Sequence, residues 1–566
     1  MNAKRLLALY ERVAEAPDAI TRLRRFILDL AVRGKLVPQD PQDEPASELL
    51  KRIAKEKARL VKAGEIRKEK MLPEINLEDA PFHLPLNWSW ARLGSATRVI
   101  QGFAFSSSDF SSDPKDGLPL IKIGDIGGDT PETFIKGSPD LAYLVRPGDI
   151  LLGLSGSIKC SAWNGPKALL NQRIARIAPV SEELDTTWLL FSVHACIDKW
   201  KEETSKLTVQ NVRAAQLYEA IFPLPPLAEQ HRIVAKVDEL MALCGQLEAA
   251  RQERESRRDR LAAASLARLN TPDPETFQSD ARFALNVLPP LTTRPNQIKQ
   301  LRQTILNLAV RGKLVPQDPN DQSATFELLL VQKLKARRDL QKPKKVKQIE
   351  QTERWCSTPN GWVWARWDQV TDWITYGFTR PMEHVDQGVP IVTGKNVNKG
   401  RIIFETASLT PRDSFDSLNE KDKPQSGDIL ITKDGSIGRT AIVEQRHLPF
   451  CINQSVAVMW LRSCHFDRRY LKLVLDSPHT QETLLEKTAG VAIKHISITD
   501  LGKMVFPLPP LVEQHRIVAK VDELMALCDR LEASLTTSDQ TRTRLLEATL
   551  VEALAPASIS EMEAAE

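Results

Sequence analysis

Lys159 and Arg173, and further along Lys433 and Arg439, stand in or beside two pairs of short sequence islands. The first pair is GDILLGLSGSIK at 148–159 and LNQRIARI at 170–177; the second is GDILITKDGSIG at 427–438 and INQSVAVM at 452–459. A guanidinium at a loop tip reads guanine through two hydrogen bonds or clamps a phosphate, and an ammonium neutralises a phosphate as a point charge. Beyond the islands the chain carries Thr208, Gln210 and Asn211 in one place and Lys494, His495 and Ser497 in the other. Amide side chains meet adenine in the same two-pronged way. The chemistry on offer is nucleic-acid recognition from loops, with a solvated loop residue as the plain alternative at every one of these positions.

No catalytic motif competes with that reading. Gly34-Lys35 and Gly394-Lys395 are followed by Leu36 and Asn396 and lack the upstream glycine of a phosphate-binding loop. The Pro-Pro pairs at 225–226, 289–290 and 509–510 are flanked by leucine, where an adenine methylase has Asn or Asp before and an aromatic after. Nine histidines never fall into HExxH spacing, and Ser155 and Ser157 lie in LSGS rather than GxSxG. Seven cysteines, at 160, 196, 244, 356, 451, 464 and 528, are scattered and never spaced CxxC, so neither a zinc knuckle nor a disulfide framework is expected. The expectation is a chain with no metal and no catalytic residue.

The elements that hold these loops occur twice. FPLPPLAEQHRIVAKVDELMALCGQLEA at 222–249 returns as FPLPPLVEQHRIVAKVDELMALCDRLEA at 506–533, identical at 25 of 28 positions. ILDLAVRGKLVPQDP at 27–41 returns at 305–319 with 14 of 15 identical. Two tandem copies of one unit account for both pairs. Each copy opens on a helix with apolar residues at heptad-like spacing, Ile20, Leu23, Ile27 and Leu30, then Ile298, Leu301, Ile305 and Leu308. Asp18 and Asn296 are the expected N-caps, and Gly34 and Gly312 the left-handed closures. A polar VPQDP turn and a charged helix follow, and in the second copy the run KPKKVK at 342–347 reads as a solvated linker. Paired tryptophans, Trp88 with Trp90 and Trp362 with Trp364, alternate as in a strand.

From about 92 to 220 and about 366 to 504 the text turns to short apolar runs between glycine, proline and serine, and here the copies diverge. Pro-Leu-Pro-Pro is then expected to form a stiff polyproline lead into a helix with Glu229 or Glu513 in its first turn, where an acid suits the dipole. His231 and His515 at matching sites read as packing or capping residues. Ile233, Val237, Leu240, Cys244 and Leu247, and again Ile517, Val521, Leu524, Cys528 and Leu531, form a 4-3-4-3 coiled-coil seam. The first of these helices is expected to stop at Asn270, Thr271 and Pro272, roughly 60 Å from its start at 1.5 Å per residue.

A net charge of +4 does not by itself announce a nucleic-acid binder, and 27% charged with 42% hydrophobic residues is ordinary for a globular protein. No apolar run reaches membrane-span length, and the first twenty residues carry acids and no signal-peptide core, so a cytoplasmic location is expected. Shared struts with different globular domains look like a homodimer fused into one chain. A symmetric DNA-binding dimer reads two like half-sites at a fixed separation. With unlike readers the expectation becomes two unlike half-sites, and a two-handed helical scaffold without DNA specificity is the alternative.

The PLPPLxEQxRIVxKVDxLMxLC string, following a divergent domain with GDIL and NQ islands and present twice, resembles the specificity subunit of type I restriction-modification enzymes. The resemblance covers nearly the whole chain. It implies two mixed α/β target recognition domains, each reading half of a bipartite double-stranded DNA site, held apart by long antiparallel helices with pseudo-twofold symmetry. It also implies a chain that is not itself an enzyme and holds no cofactor. Two methylation subunits using S-adenosylmethionine, and motor-nuclease subunits using ATP and magnesium, would be its partners in a phage-defence complex. The expected boundaries are a helical arm at 1–85, recognition domain 86–220, helical spacer 221–290, second arm 291–357, second recognition domain 358–504 and terminal spacer 505–566. The 85-residue arm is longer than the family's shorter members carry, and it matches 296–357.

Overall fold

A computed structural model describes residues 15–66, 72–76, 78, 80–137, 140–156, 158–204, 212–271, 273, 275–337, 348–463, 465–486 and 495–554. The chain forms two compact units, one taking residues up to Glu253 together with those from Asp539 onward, the other Arg254–Ser538. Two 44-residue helices, Leu227–Asn270 and Leu511–Leu554, are the spacers. The first ends one residue before Thr271-Pro272, as the stop signal predicts, and at 1.5 Å per residue each is roughly 66 Å long.

In the first unit the arm helix Ala19–Val32 packs on the start of its spacer, and the buried core runs through Ile27, Ala31, Ile53, Trp88, Ile150, Trp188, Ile233, Val237 and Cys244. Its N-terminal end meets the tail of the second long helix, with Ala16 and Ala19 against Leu546. The second unit repeats this plan. Its arm helix Pro295–Val310 shares a core with Val331, Trp362, Ile429, Tyr470, Ile517, Val521 and Cys528. Leu301 also packs beside Leu266 and Leu269 of the first long helix, inside the same unit. The heptad-spaced apolar stripe of each spacer therefore buries against its own arm and recognition domain. Leu240 and Leu524 are partly buried there, while Leu247 and Leu531 are 44% and 38% exposed.

Both arm helices close as the glycines predict, with Gly34 at φ 66° and Gly312 at φ 64°. The N–H of Lys35 reaches Leu30 O at 2.9 Å and that of Lys313 reaches Leu308 O at 3.0 Å. At the other end, Asp18 flanks the first helix, but its carboxylate pairs with Arg22 rather than capping a backbone N–H. The Asn296 cap is corrected. Pro295 takes the first helical position, where its fixed φ fits and its missing N–H costs nothing, so Asn296 lies inside the helix. The side chain that serves the turn is Gln297, whose Oε1 accepts from the N–H groups of Thr293 and Arg294.

Each recognition domain carries a four-stranded antiparallel sheet of the same order. In the first domain the strands are Thr97–Gln101, Ile174–Pro179, Ile150–Gly153 and Cys160–Ala162; in the second they are Trp373–Tyr376, Val456–Trp460, Ile429–Thr432 and Thr440–Ile442. A second sheet in each holds one parallel pair, Leu120 opposite Leu169 in one domain and Ile391 opposite Cys451 in the other. The chain enters and leaves each domain through one two-stranded ribbon, Ser89–Arg92 with Ile221–Leu224 and Val363–Arg366 with Val505–Leu508. The polyproline expectation is corrected on this point. Phe-Pro-Leu is a strand, and Pro223 and Pro507 are tolerated because a two-stranded ribbon has an unpaired edge.

Candidate nucleic-acid interface

The duplicated string is a joint, and its residues divide the work. Glu229 and Glu513 are buried in the first turn of each spacer. Glu229 accepts the Trp88 Nε1–H at 2.9 Å and the Gln39 amide at 2.7 Å; Glu513 accepts Trp362 Nε1–H at 2.9 Å and the Gln317 amide at 2.6 Å. Burial pushes both carboxyls above their ordinary 4.5, against the pull of these hydrogen bonds. The neighbouring Gln230 and Gln514 accept the N–H of Asp185 and Asp467 at 2.8 and 2.9 Å. Those aspartates in turn serve the first turn of a recognition-domain helix, accepting from Thr187 and Trp188 and from Arg469 and Tyr470. Arg232 pairs with Asp43, and Arg516 with Asp321, both just after the VPQDP turn. One turn of helix thus fixes arm, recognition domain and spacer together. His231 is exposed and His515, 61% exposed, lies 3.7 Å from Asp467, so neither packs in the core.

The joint holds a constant sheet, and the loops at one end of that sheet hold variable chemistry. In the first domain Lys122, Gly124, Ser155, Gly156, Asn171 and Arg173 line an open cleft of about 460 Å³. A rigid turn aims Lys122, because its N–H donates to Asp125 Oδ2 at 2.8 Å while its ammonium reaches Thr133 Oγ1 at 2.7 Å. Arg173 is exposed, with its carbonyl bonded to the Leu154 N–H at 2.9 Å. Lys159 is also exposed, and its carbonyl holds the Gly153 N–H. Two of the candidate cations, Lys159 and Arg173, therefore stand on loops tied to the same strand end, and the structure adds Lys122 and Asn171.

The equivalent place in the second domain follows from the shared parallel pair and from a matching bridge, Phe103 with Asn171 and Phe378 with Asn453. There Ser455 stands where Arg173 stands, and Asp434 where Ser155 stands. Ser455 Oγ donates to Asn453 Oδ1 at 2.6 Å and accepts the Gly394 N–H at 2.9 Å. Lys433 is largely buried, its ammonium 2.9 Å from Asp434, and it also lies over the Tyr376 ring at 5.3 Å. His495 is exposed and bridges to Asp434. Ser497 caps a short helix by accepting from the Thr499 N–H at 3.2 Å, and Arg439 is half-buried on the same hairpin as Lys433, its N–H on Thr432 Oγ1. Thr208, Gln210, Asn211 and Lys494 lie outside the described residues, as does the 342–347 run.

The GDIL aspartates are structural. Asp149 Oδ2 accepts the Arg146 N–H at 2.7 Å and Asp428 Oδ2 the Gln425 N–H at 2.9 Å, locking a tight turn. Burial pushes the Asp428 carboxyl up to about 6, with Arg462 and Arg468 opposing the shift. Among the described residues no cluster of His, Cys, Asp and Glu is arranged to hold a metal, no disulfide joins the cysteines, and no helix is long and apolar enough to cross a membrane.

A family model, the type I restriction modification DNA specificity domain, matches residues 85–254 and again 383–538. The chain is 32% identical to the type I restriction enzyme EcoAI specificity subunit of Escherichia coli, over 94% of this chain and 93% of that one. It is 29% identical to the EcoEI specificity subunit of the same species, with the same coverage of each. A chain solved in work on assembly and conformational transition of the type I R-M system aligns over 84% of this chain and 99% of that one, at 21% identity and a TM-score of 0.47. With two copies of the family domain spanning more than half of its residues, and a relative alike over almost its entire length, the chain belongs to the type I restriction-modification DNA specificity family.

Proposed function

We propose that this chain is the sequence-recognition subunit of a type I restriction-modification complex, with each recognition domain reading one of two unlike halves of a bipartite DNA site. The observation that carries this is the exchange at one fold position. Where one domain offers an exposed arginine beside an open cleft, the other offers a serine and an aspartate locked into their own hydrogen bonds. Two readers built on one scaffold with such different groups at the same end of the sheet favour different bases. The subunit is noncatalytic. Adenine methylation with S-adenosylmethionine, and ATP- and magnesium-dependent cutting, fall to methylation and motor-nuclease partners in the cytoplasm.

Docking of two methylation subunits is supported by surfaces that repeat. Leu243 and Leu247 on one spacer, and Leu527 and Leu531 on the other, are exposed at identical places in the duplicated string. Identical surfaces suit two copies of one partner, as divergent ones suit two different half-sites. The test is long-read sequencing of adenine methylation in cells carrying this chain with its methylation partner, with and without its gene. A gene-dependent split motif with a fixed gap is expected, and exchange of residues 92–220 for those of a relative changes one half only. Methylation that does not depend on the gene, or a change in both halves, would overturn the reading.

A further inference from the structure

At one junction both recognition domains place a phenylalanine in the same way and treat it oppositely. Gly102-Phe103 crosses Asn171, and Gly377-Phe378 crosses Asn453. Glycine is required before each ring, because a Cβ there would lie 2.1 Å from Asn171 O in one domain and 1.8 Å from Ile452 O in the other. The fold therefore fixes where each aromatic residue emerges, and the surroundings decide its use. Phe378 is 9% exposed, sealed under Met382, Phe415 and Leu418. Phe103 is 47% exposed. It is braced from the protein side by Phe105, edge-on at 5.1 Å, and by Tyr143 at 5.2 Å. Its bridge partner Asn171 lines the cleft that also presents Lys122 and Arg173. An apolar protein partner covering this ring would strip water from two cations without pairing them, at a cost. Duplex DNA answers both needs, with base faces for the ring and phosphates for the cations.

We propose that Phe103 stacks on a base step of the first half-site and opens it as a wedge, with Lys122 holding a flanking phosphate, whereas the second domain reads its half-site without one. This rests on the DNA-recognition function above. Inserted apolar side chains partly unstack and kink a duplex, so the first half-site is selected in part for deformability.

The experiment uses the full chain in complex with its methylation partner and the split motif found by methylation sequencing. Equilibrium binding is measured on duplexes carrying a single abasic position, moved step by step through both half-sites, for the parent, Phe103→Ala and Phe103→Trp. On the intact site Phe103→Ala is expected to weaken binding roughly ten-fold or more, in the range of base–aromatic stacking, and Phe103→Trp to retain it. At one abasic position in the first half-site the parent and Phe103→Ala converge to within about two-fold, since the stacking partner is gone. The proposal is overturned if Phe103→Ala binds the intact site within about two-fold of the parent. It is equally overturned if its loss persists at every abasic position or vanishes only in the second half-site. Absence of any gene-dependent methylation motif would instead overturn the DNA-recognition function itself, and the wedge with it.

Discussion

Glu229 is the residue whose removal tests the joint most directly. In Glu229→Ala the Trp88 indole N–H, buried and 2.9 Å from its acceptor, is left with no partner. A stranded buried donor costs about 1–3 kcal/mol. Gln39 sits at the surface and regains water, so it adds little. For a unit of this size about 2–4 °C accompanies each kcal/mol, so the transition of the first unit should fall by roughly 2–12 °C. Glu229→Gln keeps an oxygen for Trp88 and removes a charge that burial disfavours, and it should stay within about 1 kcal/mol of the parent. The pH dependence carries a definite sign. Burial raises the folded pKa above the ordinary 4.5, so the contribution of Glu229 is fully present below 4.5 and is lost as pH rises through the folded value. The Gln variant should lack that slope. Thermal unfolding followed by tryptophan fluorescence across pH reads all three quantities, and Glu513→Ala should reproduce the effect in the second unit. Equal losses for Ala and Gln, or a loss below about 0.5 kcal/mol for Ala, would refute the claim that this hydrogen bond secures the joint.

Gly102→Ala and Gly377→Ala place a Cβ against backbone that cannot swing aside, and each should cost its own domain about 3 kcal/mol or more, read by limited proteolysis. Gly124→Ala, with open space around it, should change stability by no more than about 0.5 kcal/mol. His479 stacks on Trp355 at 4.0 Å, and burial, assisted by Arg311, pushes its pKa down to about 4. A depressed folded pKa means stability present above pH 6.5 and lost as pH falls toward 4, and His479→Phe should remove about 1–2 kcal/mol of that loss after allowance for solvent screening. Thermal midpoints at pH 7 and pH 4.5 check this. Arg173→Ala should relax the methylated motif at one base position of one half-site, by about 1–3 kcal/mol of discrimination, as read by methylation sequencing.

The spacers were legible because apolar periodicity and a Thr-Pro stop are local signals, and the structure ends the first helix at Asn270 accordingly. The role of Glu229 was not. Seen locally, an acid in a first turn answers the dipole, and its partner Trp88 is 141 residues away. The same distance hid the strand character of Phe-Pro-Leu, which exists because the tryptophan strand comes back to pair with it. Arg173 and Lys159 stand out as candidates from their islands, whereas Lys122 does not. A signal was available, since LPLI before Lys122 and VPIV before Thr393 are matching apolar runs that both become the strand with one parallel neighbour. Lys433 looked like an equal of Lys159 in sequence, yet the adjacent Asp434 engages its ammonium.

The way the two domains hold their variable loops explains how unlike readers share one scaffold. Gly102 N–H bonds Ile174 O at 2.9 Å and Phe103 N–H bonds Leu170 O at 2.9 Å; Gly377 bonds Val456 O at 3.3 Å and Phe378 bonds Ile452 O at 3.1 Å. These are backbone contacts, indifferent to the side chain that emerges from them. The turn after each of these strands is likewise closed by a short acceptor, Asp125 in one copy and Asn396 in the other, taking the N–H of Lys122 or Thr393. An acid and its amide do the same work there, so the residue they position is left open to change. Geometry is thus carried largely by glycines, backbone hydrogen bonds and the Glu-Gln-Arg joint, while Phe103, Lys122 and Arg173 in one copy stand where Phe378, Thr393 and Ser455 stand in the other. Specificity can diverge between the two halves of the chain because the strands, backbone bridges and joint that hold the fold are shared, whatever side chains emerge from them.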